Sequence, residues 1–133
     1  MSTQRLLLSM ALLPLLGACA HQASNDSTVQ LEQESRCPQE LQVGQQLILS
    51  LPSNPSTGFR WQLHSDATPV LRSLGPEVYS ATDSGEIVGS GGLSTWRFQV
   101  ERAGSATLSL LYQQPWATNE EPAERFSCQL NAH

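Results

Sequence analysis

Three cysteines and three histidines are the side chains best suited to nucleophilic or metal chemistry in this sequence, and their spacing favours neither. His21, His64 and His133 lie far apart, and none accompanies a nucleophile motif or a metal-ligand cluster. No catalytic residue, metal or cofactor is therefore expected. Gly89, Gly91 and Gly92 do not form a phosphate loop, because no lysine follows and the G-x-G-x-x-G spacing fails at Ser94. The chain has no lysine, seven arginines and a net charge of −5. It lacks the clustered cations that neutralise phosphates, which argues against a nucleic-acid partner.

The cysteines divide by position. Arg5 precedes an apolar run from Leu6 to Leu16, of signal-peptide length and too short for a permanent membrane span. The run ends in Leu16-Gly17-Ala18-Cys19, which resembles the lipobox of bacterial lipoproteins. That resemblance implies a signal peptide over residues 1–18, cleavage before Cys19, and lipid on its thiol and new amino group. Ala20 follows, with no aspartate to retain the chain at the inner membrane. The expected location is the outer membrane, facing the periplasm. Cys37 and Cys128 remain as an even pair in an oxidising compartment, where a disulfide is favoured over two free thiols or a metal pair. A bridge of that span would contribute about 4 to 5 kcal/mol in the chain-entropy picture.

Residues 20–36 are polar and poor in core-formers, and read as a tether to one domain over residues 37–133. That domain has strand rhythm. Leu47, Leu49 and Leu51 alternate with Ile48 and Ser50; Phe59, Trp61 and Leu63 with Arg60 and Gln62; Trp96, Phe98 and Val100 with Arg97 and Gln99. Residues 107–112, 37–41, 70–74, 77–81 and 125–130 complete seven or eight strands. The fold class is all-β, an immunoglobulin-like sandwich, with Trp61 placed to be the buried tryptophan of a central strand.

Three connections between these strands are more specific than turns require. In Asn54-Pro55-Ser56-Thr57-Gly58-Phe59, Pro55 fixes its φ and Gly58 can take a positive one, a rigid corner expected to present the Ser56 and Thr57 hydroxyls outward. In Gly89-Ser90-Gly91-Gly92, missing side chains permit close backbone approach to a partner. In Gln114-Pro115-Trp116, a tryptophan opens a polar, acidic stretch, either packed back on the domain or standing out as an anchor.

In this order and spacing, the three segments resemble the motifs of the chagasin family of cysteine-peptidase inhibitors: N-P-[ST]-T-G-[FY], G-x-G-G and R-P-W. Gln114 departs from the pattern by standing where the family usually has arginine. The resemblance covers the chain from about Cys37 onward. It implies an immunoglobulin-like sandwich with the three loops at one end, and reversible, non-covalent inhibition of papain-like, cathepsin L-like peptidases. The peptidase-binding residues it implies are Asn54 to Phe59, Gly89 to Gly92, and Gln114 to Trp116. The glycine loop would lie over the catalytic cysteine, and Ser56, Thr57, Gly58 and Trp116 near the catalytic histidine and the rim. A monomer is the default state. The competing reading is a cell-envelope lipoprotein that binds carbohydrate or is directed at lysozyme, with Trp116 stacking on a sugar; it does not need all three motifs.

Overall fold

The computed structural model describes Gly17 and residues 27–82 and 91–133; Cys19, Gly89 and Ser90 lie outside the described residues. Among the described residues the chain forms nine strands: β1 Thr28–Leu31, β2 Gln39–Leu41, β3 Gln46–Ser53, β4 Arg60–Asp66, β5 Leu71–Ser73, β6 Val78–Ala81, β7 Gly92–Val100, β8 Gly104–Gln113 and β9 Glu124–Ala132. They make two sheets. One has the order β1-β3-β7, with β5 and β6 sharing the far side of β7; the other has the order β2-β9-β8-β4.

Alternation builds the core between them. Leu47, Leu49 and Leu51 of β3 and Trp96, Phe98 and Val100 of β7 face inward, against Leu108 and Leu110 of β8 and Phe126, Cys128 and Leu130 of β9. The residues between them on β9, such as Ser127 and Gln129, are exposed. This period of two is that of a sheet with one face on the core. The expected immunoglobulin-like sandwich is what forms, and all eight strands read from the sequence are present.

Two expectations need correction. The ninth strand is β1, inside the segment read as a tether. Leu31 is completely buried, and β1 pairs in parallel with β3 from Thr28 opposite Gln46 to Leu31 opposite Leu49. A 3-10 turn at Glu34–Arg36 follows, with the Glu34 carboxylate accepting the Ser127 amide. The polar composition concealed this strand because only alternate side chains of an edge strand must be apolar. Secondly, Trp61 is buried but lies on β4, the edge of its sheet; the tryptophan on a central strand is Trp96 of β7.

Cys37 and Cys128 form the expected disulfide, Cα atoms 5.3 Å apart across 91 residues of sequence. It joins the chain entering β2 to the middle of β9.

If residues 28–31 were tether, shortening Leu31 would change nothing. Packed as it is, Leu31→Ala should lower stability by about 2 to 5 kcal/mol, read from urea unfolding followed by tryptophan fluorescence.

Candidate functional site

Strand direction decides which loops meet. β3 ends at Ser53, opposite the first residue of β7, Gly92, which also faces Ala81 at the end of β6. In the other sheet, Arg60 at the start of β4 faces Gln113 at the end of β8, and Tyr112 faces Glu124 at the start of β9. The three connections 54–59, 82–91 and 114–123 therefore leave the sandwich at one end, where the described motif residues lie.

The first loop is a 3-10 turn over Pro55–Thr57, closed by Gly58 in the left-handed conformation at φ 82°. Its amides at Thr57 and Gly58 donate to the carbonyls of Asn54 and Pro55 at 3.2 and 3.0 Å. The hydroxyls expected to face outward are turned back into the turn. Ser56 Oγ donates to Asn54 Oδ1, and Thr57 Oγ1 donates to the Asn54 carbonyl at 2.7 Å while lying 3.4 Å from the Phe59 amide. Short polar side chains at a turn find backbone and side-chain acceptors nearer than any partner. Ser56 and Thr57 stay exposed, so what they offer outward is shape more than free donors.

An aromatic stem supports this turn. The Asn54 amide donates to Tyr112 Oη at 3.0 Å, and Trp61 Nε1 donates to the Pro52 carbonyl at 2.9 Å. The Tyr112 ring lies between Phe59 and Trp61, with centroids 5.4 and 4.9 Å away, a range in which tilted ring pairs attract. Phe59 is half-buried and belongs to this stem.

Both readings of Trp116 hold together. Its ring lies over Gly58, where an added Cβ would sit 2.8 Å from the indole Cη2, yet the residue is 73% exposed. The neighbouring Gln114 Nε2 lies 3.4 Å from the Thr57 carbonyl, so the third loop leans on the first at two points. Pro115 is exposed between them.

The described part of the glycine loop is its return. Gly91 has φ 84°, and its carbonyl accepts from the Thr82 hydroxyl at 3.1 Å; an added Cβ would lie 3.0 Å from the Ser53 carbonyl oxygen. Gly92 has no room at all, since a Cβ would lie 2.1 Å from the Ser80 carbonyl oxygen. Its missing side chain is thus required within the molecule, to let β6 and β7 approach. Gly91 sets the loop against Ser53 and Asn54. Sequence reasoning missed Tyr112, whose ring and hydroxyl join the first loop to β8. Its place in the alternation with Leu108 and Leu110 marked it as inward-facing.

The sequence model of the chagasin family, peptidase inhibitors of class I42, matches residues 40–130. The chain belongs to that family. By that membership it is a peptidase inhibitor and not an enzyme. Chagasin from Trypanosoma cruzi is 30% identical over 93 residues, covering 68% of this chain and 84% of its own length. Among solved structures, a cysteine protease inhibitor from Entamoeba histolytica superposes with a TM-score of 0.63 at 18% identity, covering 80% of this chain and 95% of its own. The inhibitor ICP of Leishmania mexicana gives 0.53 at 25% identity, covering 73% and 89%. PbICP-C, solved in complex with falcipain-2, gives 0.53 at 16% identity, covering 81% and 92%.

The contact between Trp116 and Gly58 is open to a direct test. Gly58→Ala places a methyl into the indole and an L side chain at a positive φ, so it should cost about 1 kcal/mol or more of stability. It should also shift the Trp116 indole resonance in an NMR spectrum, which an unrelated surface change would leave in place.

Proposed function

We propose that this chain inhibits papain-like cysteine peptidases reversibly, by seating its three loops in the active-site cleft. The observation that carries the reading is Trp116, 73% exposed at the end where the three motif segments meet and braced on Gly58. An exposed tryptophan on a rigid support is what an interface anchor requires.

The chemistry of the target suits this shape. A papain-like cleft holds a thiolate paired with an imidazolium in a narrow groove. An inhibitor must fill that groove without offering a peptide bond in attack geometry. Gly89 to Gly92 supply a thin backbone for the position over the cysteine. The turn Ser56-Thr57-Gly58 and the ring of Trp116 supply shape and apolar area on the histidine side and the rim. Loops already bonded to one another lose little freedom on docking, so modest contact can bind tightly. Gln114 supplies no charge here, in contrast to the family's usual arginine, and its amide leans on Thr57 instead.

The protein without residues 1–19 should inhibit papain and cathepsin L at micromolar concentration or below, in a fluorogenic peptide assay. Trp116→Ala should weaken that inhibition by about 1 to 4 kcal/mol with the fold intact. No inhibition by the unaltered protein would reject the target class.

We also propose that the inhibitor is exported and held by lipid on Cys19, at the outer membrane facing the periplasm. Leu16-Gly17-Ala18-Cys19 supports this, as does a disulfide, which persists in oxidising compartments. Cells expressing the chain with labelled palmitate should incorporate label into it, and Cys19→Ala should abolish the incorporation.

A further inference from the structure

The inward register of β9 runs Phe126, Cys128, Leu130 and Ala132, all buried apolar residues. One step earlier the same register holds Glu124, a carboxylate facing the space between the sheets. It escapes burial only because β9 begins there, at the mouth of the sandwich, where Glu124 is exposed. This mouth is a cavity of about 240 Å³, lined by Pro52, Ser53, Asn54, Gly91, Gly92, Tyr112 and Glu124. It is an opening in the binding end, between the first loop, the glycine return and the stem of the third.

Glu124 and Tyr112 are the titratable side chains in its lining. Among the described residues no basic side chain pairs with Glu124; neighbouring Arg125 is engaged with Glu121. Tyr112 Oη accepts the Asn54 amide and keeps its own proton to donate and a lone pair to accept. A peptidase seated on the three loops covers this mouth. A carboxylate covered without a countercharge is strongly unfavourable, whereas one meeting a cation at hydrogen-bond distance is not.

We propose that the mouth is a receptor notch for a lysine or arginine side chain on the cleft rim of the target peptidase, with Glu124 as the charge partner and Tyr112 as a second polar contact. The cavity has room for one long side chain, and Gly91 sets its own backbone against Ser53 and Asn54 in the lining. This rests on the proposed function and adds to it a specificity determinant outside the three motifs.

The test measures inhibition constants of the full chain against papain and cathepsin L, at low and high salt. The variants are Glu124→Gln, Glu124→Lys, Trp116→Ala and, as a control at the opposite pole just past the end of β7, Glu101→Gln, which removes only a surface ion pair with Arg72. Glu124→Gln should weaken inhibition of at least one peptidase about tenfold at low salt, Glu124→Lys more, and both losses should shrink at high salt. Glu101→Gln should change it less than about twofold. Unchanged constants for both Glu124 variants, beside a clear loss for Trp116→Ala, would overturn the notch and leave the inhibitor standing. So would a loss insensitive to salt, or one matched by Glu101→Gln. If the unaltered chain inhibited neither enzyme, the proposed function itself would fail. Circular dichroism and thermal melting of each variant separate misfolding from lost contact.

Discussion

The chain crosses from one sheet to the other between Ser53 and Arg60, and the rest of the binding end is built on that crossing. Two hydrogen bonds hold it: the Asn54 amide on Tyr112 of β8, and the Trp61 indole of β4 on the Pro52 carbonyl. Each ties the end of β3 to the opposite sheet. The crossing thus has one height and one angle relative to both layers. Trp116 then leans on Gly58 and Gly91 on Ser53, so the other loops inherit their positions from it. Partly buried hydrogen bonds of this kind matter less for what each adds than for what a lost partner would cost.

The glycines at this end divide into two kinds, and the division is steric. Gly92 admits the Ser80 carbonyl and Gly58 admits an indole ring; both serve contacts within the molecule. Their value to binding is indirect, through the positions of β6 and Trp116. The same is true of Ser56 and Thr57, whose hydroxyls close their own turn. A motif that reads as a row of contact residues is therefore in part a set of instructions for one rigid shape. Rigid loops on a sheet scaffold are how such surfaces keep their ordering cost low.

Much of this was legible in the sequence because a sandwich writes itself in alternation. Leu47-Leu49-Leu51 and Trp96-Phe98-Val100 gave both the strands and their inner faces, and the paired cysteines gave their bridge. β1 was not legible: its pattern is carried by Val29 and Leu31 alone, and its pairing with β3 is a contact distant in sequence. Trp61 and Trp96 could not be ranked as edge or centre, since burial looks alike in sequence while strand order depends on topology. The outward hydroxyls of Ser56 and Thr57 were misread because a short side chain's choice between solvent and its own turn is a choice of rotamer, which residue type alone does not fix. Glu124 was invisible as a candidate because nothing marks which polar residue begins a strand on its inner face.

β1 carries one further consequence. It runs beside β3 in the same direction, and the Gln46 amide donates to the Ser27 carbonyl at 2.7 Å. The chain therefore enters the domain at the pole opposite the three loops. Any attachment upstream of Ser27 meets the domain at its blunt end and bears on β1, which is hydrogen-bonded into the sheet along β3. The fold thus sets the point of entry and the working face at opposite poles of the domain.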